Sequence, residues 1–223
     1  MVPINNTTME PELLGWLPEG SRCCTLRIPR GKGTLGPADL PDYIARAVTL
    51  AGRYAAEDID LIAYGCTAAG FIAGPARDAA IQLELAAITG KPVVTTASAM
   101  IAVLQHIGAR RIAVITPYLD HVNERLRVYL EDSGIKVQAF ASFKAATTDE
   151  LAAITPAQIA TLARETMSPR CDAMFIACSQ LPTRDILDKL GGDFGRPVWS
   201  SIKATAWHAG VVTRSQSTAI TGN

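Results

Sequence analysis

The 223 residues carry 21 lysines and arginines against 21 aspartates and glutamates, so no global field favours nucleic acid or an anionic membrane surface, and no basic run supplies one locally. Hydrophobic residues make up 48% of the chain, ample for a core. Yet no apolar stretch approaches the roughly 20 residues of a membrane span, and the first residues lack the charged and apolar regions of a signal peptide, so a cytoplasmic protein is expected. Five cysteines without CxxC spacing and three scattered histidines argue against a disulfide framework and a zinc site, and no metal is expected.

In chain order the pattern alternates strand and helix nearly throughout. The start is abrupt: Met1-Val2-Pro3 runs directly onto a polar turn at Asn5 to Glu10, so the first strand is either very short or the given start lies inside the gene. Residues 21–30 are strand-like. Residues 38–57 place Leu40, Tyr43, Ile44, Ala47 and Val48 at helical spacing, 60–66 read as a strand, and 75–89 as a helix opened by Pro75 and closed by Gly90. Strand 92–97 leads into helix 99–108. The second half continues with strand 111–117, helix 119–133 ended by Gly134, strand 136–142, helix 156–167, strand 173–178, helix 183–190, strand 197–200 and helix 202–213, with 215–223 expected to be loose. Near-continuous apolar strands such as Leu61 to Tyr64, Ile112 to Ile115 and Met174 to Ala177 suit a parallel sheet covered on both faces, hence an α/β fold.

One pattern occurs twice. Asp60-Leu61-Ile62-Ala63-Tyr64-Gly65-Cys66-Thr67 returns as Asp172-Ala173-Met174-Phe175-Ile176-Ala177-Cys178-Ser179, and Gly90-Lys91-Pro92-Val93-Val94-Thr95-Thr96 as Gly195-Arg196-Pro197-Val198-Trp199-Ser200-Ser201. Each repeated cysteine ends an apolar run of strand length, and open α/β sheets bind ligands outside the carboxyl ends of their strands. Two related halves facing each other would present one thiol to each side of a shared cleft. A thiol reacts as thiolate, whose pKa falls at a helix N-terminus, and both cysteines precede turns into expected helices. The same amides favour a carboxylate. Thr67, Ser179 and Gln180 add uncharged donors, and Gly65, Ala68, Ala69 and Gly70 allow close backbone approach.

Other residues have plainer readings. Cys23, Cys24 and Cys171 suit small buried apolar positions. Thr95, Thr96, Ser200 and Ser201 suit helix caps, and His106 and His208 surface or packing positions; His121 is weak evidence for a general base. Asn6 is either an N-cap or a substrate contact, and Tyr118 either packs or bonds a carboxylate.

The segments Pro3-Ile4-Asn5-Asn6-Thr7-Thr8-Met9-Glu10, Gly65-Cys66-Thr67, Thr116-Pro117-Tyr118 followed by Val122-Asn123-Glu124-Arg125, and Cys178-Ser179-Gln180-Leu181-Pro182-Thr183 together resemble maleate cis-trans isomerases of the aspartate/glutamate racemase superfamily, over nearly the whole chain. The resemblance implies two pseudo-symmetric open parallel-sheet lobes with the active site between them, divided as residues 1–97 with 205–223, and 98–204. It implies a cofactor-free isomerase in which Cys66 as thiolate attacks an alkene carbon and Cys178 handles the proton at the neighbouring carbon, with Asn6, Thr67, Ala68, Tyr118, Ser179 and Gln180 binding substrate. The expected partner is a small carboxylic acid, with self-association into a homo-oligomer, and neither nucleic acid nor membrane. Where those isomerases have a substrate-contacting asparagine, Thr148-Asp149-Glu150 seats Glu150, which would repel a dicarboxylate. Two other enzyme readings stay open. The superfamily's amino-acid racemases tend to carry a histidine after the second cysteine, where Gln180-Leu181-Pro182 stands here; arylmalonate decarboxylases have a single cysteine in the second lobe, so Cys66 counts against them. A binding protein that kept the fold without the reaction is the alternative of another class.

Overall fold

The computed structural model describes residues 1–31 and 33–221, with side chains described through Ser215. The first half holds β1 (Val2–Pro3), α1 (Met9–Trp16), β2 (Arg27–Ile28), α2 (Leu40–Ala51), a 3₁₀ turn at Gly52–Tyr54, β3 (Ile62–Tyr64), α3 (Thr67–Ala73), α4 (Pro75–Thr89), β4 (Val93–Thr95) and α5 (Thr96–His106). The second half holds β5 (Arg111–Thr116), α6 (Asp120–Asp132), β6 (Lys136–Ser142), α7 (Thr148–Ala152), α8 (Pro156–Thr166), β7 (Ala173–Ile176), α9 (Leu187–Phe194), β8 (Val198–Ser200) and α10 (Ser201–Thr221).

Among the described residues every pairing between the strands is parallel, and an isolated antiparallel bridge joins Gly33 to Thr147. In the second half the order is β6-β5-β7-β8. In the first, the pairs β1-β2 and β3-β4 are joined where the Met1 nitrogen donates to Ala63 O at 2.7 Å and Gly65 N–H donates to Met1 O at 2.7 Å, giving the same order, β2-β1-β3-β4. Gly65 is required at that seam: a Cβ there would collide with Met9 Sδ, Val2 and the Met1 carbonyl. The α/β architecture with two matching parallel sheets is thus present, and the repeat aligns them strand for strand. Both sheets bury their apolar strands; Ile112 to Ile115 and Met174 to Ile176 are wholly inaccessible to solvent. α5 and α10, which follow the matching strands β4 and β8, pack on one another, and one hydrophobic cluster runs through both sheets. Among the described residues no helix is long and apolar enough to cross a membrane.

The structure departs from the sequence pattern in particular places. The polar turn at Asn5 to Glu10 is the cap of α1, with Asn6 Oδ1 accepting from the Thr8 and Met9 amides. α3 escaped the periodicity because Thr67 to Phe71 are all buried and no polar face exists to read. The helix expected at 183–190 begins only at Leu187; Thr183 to Ile186 form a turn closed on Thr183 O, and the Thr183 and Arg184 amides donate to Glu12 of α1. The stretch 215–221, expected to be loose, continues α10, with no glycine or proline between Val211 and Thr221 to stop it; residues 222–223 lie outside the described residues.

Candidate active site

β3 delivers Cys66 to the N-cap of α3, with extended backbone (φ −125°, ψ 94°), and β7 delivers Cys178 to the matching point of the other sheet. Both thiols are buried. The expectation of depressed thiol pKa values is corrected by this burial. Desolvation pushes the Cys66 thiol up, and the Ala69 amide, the Arg30 guanidinium, the Tyr43 hydroxyl and the Ala68 amide pull it only part of the way back. Cys178 is pushed up to about 11 by burial; the Gln180 amide, whose nitrogen lies 3.4 Å from Sγ, and the Tyr118 hydroxyl oppose this, while negative charge on Cys66 would add to it. The two sulfurs therefore sense each other, and the resting site holds two neutral thiols.

Each thiol has its own phenol. Tyr118, buried beside Phe71 with ring centroids 5.5 Å apart, turns its hydroxyl to Cys178 and also feels Cys66. Tyr43 of α2 is almost wholly buried, and its hydroxyl makes no complete hydrogen bond; the polar group it faces is the Cys66 thiol. Tyr43 and Arg30 were missed as site residues. Tyr43 sits on the apolar face of α2, so periodicity reads it as core; Arg30 follows the carboxyl end of β2, where the strand-end rule would have pointed. The Arg30 guanidinium acts electrostatically on both thiols and both tyrosines, and Nη2 donates to Gly33 O at 2.7 Å.

The other expected residues fall into place around a seam between the halves. Asn6 Nδ2 donates to Ser179 O and Oγ, both at 3.1 Å, so its carboxamide is engaged by protein on every side. Ser179 Oγ donates to Gly65 O at 2.8 Å, and Gln180 Nε2 to Asn5 O at 3.1 Å. Thr67 and Ala68 lie buried directly after Cys66, and the Thr67 hydroxyl has no hydrogen-bond partner among the described residues. Glu150 belongs elsewhere: it is exposed at the start of α7, where Oε2 accepts from the Ala146 amide at 2.7 Å and its own N–H donates to Thr147 Oγ1 at 3.1 Å. A surface capping carboxylate does not oppose a ligand at the thiols. The buried residue of that segment is Thr148, one step after the bridge between Thr147 and Gly33. Thr95 and Ser200 cap α5 and α10, accepting from the Ser98 and Lys203 amides. His106 and His208 lie against Trp207, and His121 is exposed. Among the described residues no three His, Cys, Asp or Glu side chains gather as metal ligands would.

The sequence model of the family described as arylmalonate decarboxylase matches residues 32–222. The chain belongs to the arylmalonate decarboxylase family. Its relatives include an arylmalonate decarboxylase of Bordetella bronchiseptica, 28% identical over 181 residues that span 80% of this chain and 75% of that one. A maleate isomerase of Nocardia farcinica is 26% identical over 215 residues, spanning 93% and 86%. Among solved structures, a cysteine-to-serine variant of Nocardia farcinica maleate cis-trans isomerase with a covalently bound succinylcysteine intermediate superposes with a TM-score of 0.87 at 24% identity, covering 97% of this chain and 90% of that one. This member of the arylmalonate decarboxylase family thus has both enzymes among its relatives, all with the racemase-like fold.

Proposed function

We propose that the protein is a cofactor-independent cis-trans isomerase of maleate or a similar small unsaturated acid. The observation that carries this reading is the pair of buried thiols, one per sheet, each with its own tyrosine hydroxyl and both within reach of Arg30. Cys66, with two amides, a hydroxyl and the guanidinium acting on it at a helix start, is the better placed to become thiolate, giving its proton to solvent before the site closes around the substrate and taking one back from solvent after turnover. Its sulfur bonds to one alkene carbon, and the alkene electron pair moves onto the neighbouring carbon and its carboxylate, where the Cys178 thiol delivers a proton. Rotation about the new single bond follows; Cys178 takes the proton back, the C–S bond breaks, and the trans alkene leaves with the Cys66 thiolate restored. The unpartnered Thr67 hydroxyl and the amides after Cys66 suit the developing enediolate. The succinylcysteine adduct of the Nocardia isomerase supports a thioether intermediate of this kind. With Glu150 on the surface, its repulsion of a dicarboxylate no longer counts against maleate.

The second reading, decarboxylation of an arylmalonate with Cys178 protonating the enediolate left by loss of carbon dioxide, is favoured by the family match and the Bordetella relative. Incubation with maleate in deuterated buffer, followed by proton NMR, separates the two. Fumarate that keeps its alkene protons supports addition and elimination. Inertness to maleate with carbon dioxide release from phenylmalonate, and deuterium at the product's α-carbon, would replace isomerisation by decarboxylation.

A further inference from the structure

Asp78, in the first turn of α4, is a carboxyl that the reaction proposed above does not use, and it is only 2% exposed. Its Oδ2 accepts from Thr95 Oγ1 at 2.8 Å and from the Tyr129 hydroxyl at 3.3 Å, and the Gln82 side chain acts on it in the same direction. Burial still pushes the carboxyl up to about 6, so near neutral pH it is an anion held by uncharged donors. Such a group is costly to bury unless its bonds are made. At the same distance after Cys178 that separates Asp78 from Cys66, the chain has the fully buried Leu190 instead.

The carboxyl stands directly behind the Cys66 turn. A Cβ on Gly70, in the middle of α3, would collide with Asp78 Oδ1 and the Ala97 side chain, so α3 lies in a slot between α4 and α5 that glycine alone fits. Gly70, read from the sequence as leaving room for a ligand, leaves room for this carboxyl. α3 also packs against α6 of the other half, the helix that brings Tyr129 to Asp78. Thr95, the other donor, caps α5 by accepting from Ser98 N–H at 2.9 Å. Tyr64 of β3 feels both Cys66 and Asp78, so thiol and carboxyl share one neighbourhood.

The Cys178 turn has a tie of the same chemistry. There Glu12 of α1 accepts from Thr183, and α1 follows β1 as α6 follows β5, at matching places in the two sheets. In both cases a bond between carboxylate and hydroxyl joins the segment after a cysteine to the corresponding helix of the opposite half.

We propose that Asp78 is a positioning residue for Cys66: its carboxylate, bonded to Tyr129 of the opposite half, closes the slot around α3 and keeps the Ala68 and Ala69 amides on the sulfur. Loosening this tie weakens the amides' hold on the Cys66 thiolate and leaves Cys178 alone. The consequence for turnover rests on the isomerase reading; the consequence for the thiol does not.

The test compares Tyr129→Phe, Asp78→Asn and Asp78→Ala by the rate at which iodoacetamide labels each cysteine, resolved by peptide mass analysis. Tyr129→Phe should slow labelling of Cys66 about fivefold, as for the loss of one hydrogen bond, with Cys178 unchanged. Asp78→Ala should slow it about 10- to 30-fold, and Asp78→Asn, which keeps an acceptor for both hydroxyls, should fall between Asp78→Ala and the starting protein. On maleate, kcat should fall in the same order while KM holds. A protein inert to maleate would remove the isomerase reading, and the labelling rates would still decide the role of Asp78. A merely structural carboxyl would lower the melting point and leave Cys66 labelling unchanged, or alter both cysteines equally; either result overturns the proposal. So would faster labelling of Cys66 in Asp78→Asn and Asp78→Ala alike, since charge and not position would then govern the thiol. If Asp78→Ala does not fold, Tyr129→Phe decides by the same criteria.

Discussion

The turns after Cys66 and Cys178 begin with the same motif and end in different surroundings. After Cys66 the chain enters α3 at once, so backbone amides converge on the sulfur, with Arg30 and Tyr43 closing in from the loop after β2 and from α2. After Cys178 no helix forms until Leu187; Ser179 is tied to Asn6, Gln180 to Asn5, and Thr183 and Arg184 to Glu12, all from the other half. Burial raises both thiols, opposed at Cys66 by two amides, the Tyr43 hydroxyl and Arg30. Cys178, raised to about 11 against one amide, the Tyr118 hydroxyl and Arg30, is held by a loop that the first half positions. Under the proposed isomerase reading, the duplicated motif supplies a nucleophile and a proton donor because the environments, not the cysteines, diverged, in the way two like carboxylates can be driven into different roles.

Removing the thiols tests this asymmetry with the largest effect. Cys66→Ser and Cys178→Ser should each lower turnover about a thousandfold or more with the fold intact, a hydroxyl being a far weaker nucleophile and acid. They should differ in one respect: intact-mass measurement after incubation with maleate should find an adduct on the Cys178→Ser protein and none on the Cys66→Ser protein. Adducts on both, or on the wrong one, would reverse the assigned roles.

Arg30 is next, because it acts on both turns. Its guanidinium favours thiolate, so Arg30→Gln should raise both thiol pKa values and shift the rise of activity, and of iodoacetamide inactivation, to higher pH. The sign follows from the resting state: neutral thiols become reactive only as pH rises, on a limb already above the ordinary thiol value of about 8.5. At neutral pH kcat/KM should fall about 10- to 100-fold, and a pH profile unchanged in position would remove Arg30 from the site.

The Cys178 turn alone should respond to Glu12→Gln. This carboxylate accepts from Thr183 N–H at 2.7 Å, Arg184 N–H at 3.2 Å and Thr183 Oγ1 at 3.1 Å. Weakening these bonds should cost about 1 to 2 kcal/mol, read in denaturant titration, and speed amide exchange at Thr183 while leaving the Cys66 turn unaltered. The smallest effect is expected at Glu150→Ala. It removes a surface cap and should cost about 0.5 to 1 kcal/mol of stability with no change in activity on maleate. A change in KM would return this residue to the pocket.

Much of the fold was legible because it rests on local signals. Apolar runs bounded by turn residues located β3, β5 and β7; Pro75 and Gly90 bounded α4, and the repeat aligned the two cysteines. Cys66, Thr67, Tyr118, Cys178, Ser179 and Gln180, read as candidates because strand ends are where such sheets bind, lie together at the seam. Misreadings had two sources. Glu150 aligns with a pocket residue, while its local bonds to Ala146 and Thr147 make it a surface cap; the contact of the 183 turn with Glu12, 171 residues away, leaves no local signal at all.

The sequence by itself therefore determined the parallel α/β architecture, its duplication and the placing of a cysteine at matching strand ends, because periodicity, punctuation and repetition are properties of neighbouring residues. Tertiary structure decided the electrostatic surroundings of each thiol. Burial depth, the guanidinium of Arg30, the hydroxyls of Tyr43 and Tyr118 and the bonds across the seam converge from segments far apart in the chain, and the energy of an ionisable group depends on everything within a few ångströms of it, whatever its distance in sequence.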